Sequence, residues 1–508
     1  KRTRIFANYK LASHFCQQGG SLTLARTVCS AAIGGTFQYG YNIAIINAPT
    51  VDICRFINDT SWERWAVALE SYQVNLFWSF IVSIFSVGGL LGALLAGPMA
   101  IRFGRKRSLL MNNVFLGLSC VLLIASRASR SYEMIVLGRL LIGINAGVSM
   151  NIQPMYFGES APKHLRGAVA LSSGIFTALG VVLGQVVGLR ELLGCQACWP
   201  FLLGSAAVPG FIQLLTLPWC PESPRYLLID RGDKDACIRA LQQLHGSDAV
   251  DGEMAEILQE QAASTGERPR SPWELLRDPA VRWQLGSVMI VSSAMQLCGN
   301  DAIYFYASSV FQEAGISTDK IPYATIGTGA CEFAAVIMCS LLIEHLGRRL
   351  LLIGGYVLMA GWSVVFTVAL SFQRTVDWMP YLCMTCIFAY ILSFGMGPAG
   401  VTGILPTEIF NQAARPAAYM IAGSLMWINF FMVGMVFPFL VSELGDFCFV
   451  PFCVVCLLAS SFIGFALPET KGKSLQEITC EFDKLNFPGR QRLQAFYQLG
   501  EVLHSTAL

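Results

Sequence analysis

An all-α membrane protein with twelve spanning helices, arranged as two six-helix pseudo-repeats joined by a polar helical segment, is the fold class this sequence predicts. Three observations carry it. The 508-residue chain is 54% hydrophobic and only 13% charged, with a mean hydropathy of +0.54, outside the range of soluble globular chains. Nearly uncharged runs long enough to cross about 30 Å of hydrocarbon recur along it. Short motifs that close these runs in the first half return about 245 residues later.

Taken in order, a basic tail over 1–23 carries Lys1, Arg2 and Arg4, and the first apolar run, about 22–46, is too long for a signal-peptide core and reads as a spanning helix. The spans are expected near 24–46, 76–99, 109–126, 134–155, 168–189, 200–219, 283–306, 321–343, 350–371, 379–405, 416–437 and 448–467. They divide the chain into an N-terminal half at 24–220, a linker at 221–282, a C-terminal half at 283–467 and a tail at 468–508.

Basic residues gather on one side: Arg102, Arg105, Lys106 and Arg107 after span 2, Lys163 and Arg166 after span 4, Arg348 and Arg349 after span 8, and Arg415 after span 10. Short cytoplasmic loops accumulate such residues, so both termini are expected in the cytoplasm of an integral membrane protein, most simply one of the plasma membrane. The opposite loop at about 47–75 carries Asn58-Asp59-Thr60, a glycosylation acceptor usable only on an outer face. Arg127 and Arg130 run against this orientation and are outvoted.

The halves match motif by motif. Glu159 to Arg166 after span 4 repeats as Glu408 to Arg415 after span 10, Gly104-Arg105-Lys106 as Gly347-Arg348-Arg349, and Pro221-Glu222-Ser223 as Pro468-Glu469-Thr470. A duplicated unit of this kind suits two bodies that rock about a site held between them. Under that reading Arg105, Glu159, Arg166, Glu344, Arg348, Glu408 and Arg415 form a gate whose ion pairs cross the cytoplasmic mouth when the halves meet. The alternative is that they are topology signals and surface pairs worth about 0–1 kcal/mol each.

The linker is the long polar segment between the halves. Helical periodicity is expected over 233–244 and 252–261, a linker proper over 264–271, and a further helix from Pro272. Gly472-Lys473-Ser474 resembles the end of a phosphate-binding loop, but Leu467 stands where its first glycine belongs, which disfavours an ATP-driven pump. Most of the 17 cysteines lie in apolar runs as small hydrophobes, and the lone CxxC, Cys195 with Cys198, has no second pair to complete a zinc site. No cofactor is expected, and the net charge of +2 supplies no surface for nucleic acid, leaving lipid and a solute as the partners.

The stretch at 292–309 is the candidate site. It places Asp301 in an otherwise apolar run, which costs about 2.5–3.5 kcal/mol on insertion scales and marks a wet cavity or a partner. Gln296, Asn300 and Tyr304 stand around it, hydrogen-bonding groups suited to a neutral polyol, and Gly299 can loosen the helix. Read alone, Asp301 also suggests a proton relay.

Gly40-Tyr41-Asn42 with Asn47-Ala48-Pro49, Gly138-Arg139, Pro154-Met155-Tyr156, Glu159 to Gly167, Gln185, Pro221 to Arg225, Gln296-Leu297, Gly347 to Arg349, Arg415 to Ala418 and Pro468 to Lys471 together resemble the facilitative hexose transporters of the major facilitator superfamily. The resemblance covers roughly 25–480. It implies the major facilitator fold and passive, alternating-access movement of a hexose, with no enzymatic step. By position it makes Tyr39, Gln185, Gln296, Asp301, Tyr304, Glu332 and Trp427 sugar contacts: amides and carboxylates for the hydroxyls, aromatic faces for the ring. Asn42 stands where proton-coupled relatives have an aspartate, and an amide cannot titrate. Arg139 is expected to be a structural ion-pair or interface residue.

The departures from the family pattern matter as much. Met295 replaces a glutamine, Asp301 and Glu332 replace asparagines, Gly403 replaces a tryptophan of glucose-selective members, and Met426 replaces a polar residue. Fructose, glucose and an unusual organic solute therefore stay open as substrates. A proton-coupled carrier is the alternative to a uniporter, and a receptor or channel is a third reading that the two-fold repeat disfavours.

Overall fold

The computed structural model of the chain describes residues 22–162, 165–245, 250–264, 270–373, 375–411, 413–473 and 475–486, and their regular structure is helical throughout. In the N-terminal half, α1 (Leu22–Ile33) and α2 (Thr36–Ala44) make span 1, and α3 (Thr50–Trp65) occupies the loop after it. Spans 2 to 5 are α4 (Ser71–Phe103), α5 (Arg105–Ala128), α6 (Tyr132–Ser160) and α7 (Arg166–Val187), and α8 (Trp199–Gly204) with α9 (Ala207–Thr216) makes span 6. The linker holds α10 (Lys234–His245), α11 (Val250–Ser264) and α12 (Pro272–Arg277).

In the C-terminal half, span 7 consists of α13 (Arg282–Leu297), α14 (Asn300–Phe305) and α15 (Ala307–Glu313). Spans 8 and 9 are α16 (Ile321–Leu346) and α17 (Arg348–Phe372). Span 10 comprises α18 (Met379–Met396), α19 (Pro398–Thr402) and α20 (Leu405–Ile409), followed by α21 (Arg415–Leu444) and α22 (Val450–Ala466). A final helix, α23 (Leu475–Asn486), follows span 12.

Eight of these segments are long and apolar enough to cross a membrane unaided, and Leu171–Val187 and Val450–Ala466 are shorter apolar helices. Spans 1 and 7 complete the twelve and are each interrupted. Span 1 breaks at Gly34-Gly35, where the Gln153 side chain of α6 replaces the lost backbone partner: its Oε1 accepts from Thr36 N at 2.7 Å and its Nε2 donates to Thr36 Oγ1 at 3.0 Å. Span 7 breaks at Gly299, φ +86°, and the Tyr390 hydroxyl of α18 donates to the carbonyl of Cys298 at that break. Broken backbone at membrane depth is tolerated only where protein or a cavity satisfies it, and both breaks meet that condition.

The spans are apolar outward and small or polar inward. Leu91, Leu94, Val114, Val121, Phe211 and Leu458 are exposed, while Ser83, Ser86, Asn112, Asn145 and Ser149 are buried. Without a hydrophobic drive between helices in lipid, close backbone approach and interhelical hydrogen bonds hold them together. Asn112 Nδ2 donates to Asn145 O at 2.8 Å and to Ser149 Oγ at 2.9 Å, tying α5 to α6. The halves meet along two seams, α4 against α21 and α7 against α16.

The end that carries the basic loops is built twice. In the first half, Arg105 pairs with Glu159 at 2.8 Å and Asp230 at 2.7 Å, and Ser223 Oγ donates to the other oxygen of Glu159. Glu222 Oε1 accepts from the backbone N–H groups of Arg105 at 3.1 Å and Lys106 at 2.9 Å, capping α5. In the second half, Arg348 pairs with Glu408 at 2.9 Å, Thr470 Oγ1 donates to Glu408 Oε2 at 2.6 Å, and Glu469 accepts from Arg348 N at 2.9 Å and Arg349 N at 3.0 Å. Each cluster forms where its half passes through a glycine of positive φ, Gly104 at +92° and Gly347 at +85°.

The far end explains the two arginines that disobey the charge pattern. Arg130 pairs with Glu63 at 2.6 Å, and Arg127 donates to the carbonyls of Gln196 at 3.2 Å and Ala197 at 2.9 Å. Cys195 and Cys198 form a disulfide in the same region. Asn58 lies on α3 rather than in a loop, its Oδ1 accepting from Leu69 N at 3.1 Å.

Candidate functional site

The break in span 7 determines where the site's side chains stand. Ending α13 at Leu297 and restarting at Asn300 puts Gln296 in the last turn of one helix and Asn300 and Asp301 in the first turn of the next. Tyr304 follows one turn on. Asp301 is half-buried, whereas Gln296, Asn300 and Tyr304 are buried.

From span 8, Glu332 reaches the same place. It is 8% exposed, and Asp301, Tyr304 and Tyr39 of span 1 lie close enough to it to influence one another electrostatically. Tyr304 and Glu332 stand side by side without closing a well-formed hydrogen bond. One turn before Glu332 on α16, Thr328 Oγ1 accepts from Gln185 Nε2 at 3.1 Å, which brings span 5 of the other half into the group.

Trp427, 1% exposed, supplies an aromatic wall from α21. Tyr39 meets it edge-on at 5.9 Å between ring centroids, Phe85 of α4 at 6.0 Å and Phe430 at 6.0 Å. Phe305 stacks on Phe430 at 4.8 Å. Aromatic rings from four spans and both halves therefore close one side of the polar group.

Buried polar atoms are almost always hydrogen-bonded, so those left over identify where something else belongs. Gln185 Oε1 and Gln296 Oε1 have no protein partner, and both amide atoms of Asn300, the Tyr304 hydroxyl and Glu332 Oε2 lie beside one another without closing a well-formed bond. They include donors and acceptors, as a polyol requires.

The eight residues singled out in the sequence thus fall on five spans. Tyr39, Gln185, Asp301, Tyr304, Glu332 and Trp427 are linked by the contacts above, and Gln296 and Asn300 flank the same break. Sequence reasoning missed Thr328 and the rings of Phe85, Phe305 and Phe430, because a threonine or phenylalanine in an apolar run carries no mark that separates lining from packing.

Of the two roles expected of Arg139, ion pair or interface, the structure shows the interface. Arg139 makes no ion pair among the described residues: its guanidinium lies 4.7 Å from the centroid of the Phe85 ring and donates to Asn42 O at 3.2 Å. Desolvating two opposite charges together is expensive in hydrocarbon, and an aromatic face with a carbonyl serves the cation instead. The gate residues, expected to pair across the mouth when the halves meet there, pair in this structure within their own halves, Arg105 with Glu159 and Arg348 with Glu408.

Arg415 donates to the carbonyls of Thr407 at 2.9 Å and Phe410 at 3.3 Å, closing span 10. The side chains of Arg166 and Glu344 lie outside the described residues. Glu222, Ser223, Glu469 and Thr470 were visible as a repeated triplet, and their part in these clusters was missed. Hydrogen bonds between the halves lie elsewhere: Ser308 N donates to Asn47 Oδ1 at 3.2 Å and the Tyr323 hydroxyl to Glu191 at 2.8 Å, both toward the far end.

A duplicated six-helix bundle with a polar cluster between its halves defines a membrane carrier, and the comparisons agree. Residues 27–482 match the sugar (and other) transporter family, and the chain belongs to it. It is 57% identical over 491 residues to the human solute carrier family 2, facilitated glucose transporter member 11, covering 97% of this chain and 98% of that one. It is 43% identical over 479 residues to the human facilitated glucose transporter member 5, covering 93% and 96%. Among solved structures, the xylose transporter XylE from E. coli in a partially occluded inward-open conformation superposes with a TM-score of 0.75 at 23% identity, covering 90% of this chain and 100% of that one.

Proposed function

We propose that this protein is a uniporter that carries a hexose, fructose or glucose, down its gradient by alternating access. The observation that carries the reading is the set of buried polar atoms without a well-formed bond contributed by both halves, Gln185 from one and Gln296, Asn300, Tyr304 and Glu332 from the other. Sugar hydroxyls would satisfy them, and Trp427 with Tyr39 would cover the ring. The names of the relatives, facilitated glucose transporters, support the same class.

Asn42 favours passive movement. Its Nδ2 donates to Gln38 O at 2.8 Å, and an amide there offers no proton to couple. The acid pair of Asp301 and Glu332 favours a second reading, a proton-coupled carrier. Counterflow in proteoliposomes separates the two: labelled hexose should accumulate against unlabelled hexose inside, unchanged by a protonophore. Uptake that requires an acid exterior would overturn uniport, and the absence of counterflow with every hexose and organic anion would overturn the carrier reading.

Hydrogen bonds between the halves at the far end and ion pairs kept within each half at the basic end favour a conformation open toward the basic end. That end is the cytoplasmic side of the plasma membrane in this reading, with Arg105, Glu159, Arg166, Glu344, Arg348, Glu408 and Arg415 acting in its gate. Asn58 then faces outward as a glycan acceptor, and an Asn58→Gln variant should lose a glycosidase-sensitive shift in mobility.

A further inference from the structure

Resting on the carrier reading, we propose that the Cys195–Cys198 disulfide is a thiol-exchange site at which low-molecular-mass thiols and disulfides outside the membrane set how firmly the far end closes. Both sulfurs belong to one tight turn between spans 5 and 6, closed also by Cys198 N donating to Cys195 O at 2.9 Å. The two cysteines are half-buried and the residues between them, Gln196 and Ala197, are exposed, so a small thiol can approach from solvent. Arg127 donates to the carbonyls of those same two residues, which brings a positive charge to the turn. Partly exposed cysteines in CxxC spacing beside a cation are the reactive kind, whereas cysteines buried in apolar surroundings are inert. A persistent disulfide also needs an oxidising compartment, which agrees with the far end as the outer face.

The chain itself joins this turn to the closure of the halves. Glu191, which accepts from the Tyr323 hydroxyl of span 8 at 2.8 Å, lies in the same connection, just before Cys195. On one side of the connection, Leu193 N donates to Val187 O at 3.2 Å and Gly194 N to Leu189 O at 2.9 Å, folding it onto the end of span 5. On the other side the disulfide holds it, and Trp199, next in the chain, is buried against Phe56 of α3. Opening the disulfide removes one of the two anchors of Glu191 and weakens its bond to Tyr323. In the exchange, a thiolate attacks one cysteine sulfur and forms a mixed disulfide, while the other cysteine leaves as a thiolate. A second thiolate then attacks the small molecule's sulfur in that mixed disulfide. Two small thiols become one small disulfide, their electrons and protons pass to the two cysteines, and the reverse reaction with a small disulfide closes the turn.

The test applies reduced and oxidised glutathione outside right-side-out vesicles holding the full chain, and reads cysteine alkylation by peptide mapping together with the KM for external hexose. Reduced glutathione, without denaturant, should open Cys195 and Cys198 to alkylation and lower that KM, because a larger share of the protein then stands open to the outside. Oxidised glutathione should restore both. Cys195→Ser combined with Cys198→Ser should keep the lowered KM under either reagent. Tyr323→Phe should abolish the KM response while the cysteines still exchange, a separation that a purely structural disulfide would not show. A disulfide that glutathione does not open, a KM unmoved once it is open, or an undiminished KM response in Tyr323→Phe overturns the proposal. Hexose counterflow by the oxidised protein leaves the carrier reading standing in each of those cases.

Discussion

The Tyr390 hydroxyl of span 10 donates to the backbone carbonyl of Cys298, the residue at which span 7 loses its helical hydrogen bonding. The helix interruption that orients Asn300 and Asp301 is therefore held from a neighbouring span rather than by its own backbone. Removing that hydroxyl leaves a buried carbonyl without a donor, which costs about 1–3 kcal/mol. Tyr390→Phe should lower the unfolding temperature in detergent and raise the KM for sugar. An unchanged melting curve would show that the break stands without this bond.

Gln185 and Gln296 each present a carbonyl oxygen with no protein partner. Gln185→Ala and Gln296→Ala should weaken hexose uptake about tenfold, the loss of one good hydrogen bond of about 1.4 kcal/mol, with surface expression intact. Normal uptake by both would remove them from the site.

Glu469 carries a pH dependence. Burial pushes its carboxyl up, but the backbone N–H groups of Lys471, Arg348, Arg349 and Thr470 outweigh this and hold it below the ordinary value of 4.5. A carboxyl depressed in the folded state stabilises fully above its ordinary value and loses that contribution as pH falls through the depressed one. Unfolding temperature should therefore drop as pH falls below about 4.5, and Glu469→Gln should flatten that part of the profile. A profile identical in the variant would mean that other carboxylates govern it.

At the far end, Tyr323 and Glu191 are both exposed, and their bond joins the two halves. Tyr323→Phe should shift the population modestly toward the far-end-open conformation, since the bond it removes is exposed to solvent. Labelling of a cysteine placed at the outer mouth by an impermeant thiol reagent measures the shift. Unaltered labelling would leave the closure to Asn47 and the aromatic seam.

The spans and the repeat were legible because membrane burial writes itself in long apolar runs, and the duplicated Glu159/Glu408 and Arg105/Arg348 motifs gave the halves. Asp301 was legible for the same reason: a carboxylate inside such a run has few explanations. The break in span 1 was not, since Gly34-Gly35 depends on a glutamine more than a hundred residues away, Gln153, to receive the freed N–H. Nor was the direction of the ion pairs, because spacing along a chain does not say which half an arginine will turn to. Helix α3 was hidden in a loop whose polar composition masks its buried face of Ile53, Ile57 and Thr60.

Gly104 and Gly347 bear on natural variation in this sequence. A methyl group at either would stand 2.6 or 2.7 Å from a carboxylate oxygen, of Glu222 in one half and Glu469 in the other, on a backbone of positive φ. Alleles that replace either glycine are expected to be rare and harmful to a similar degree, and neither copy can relieve the other.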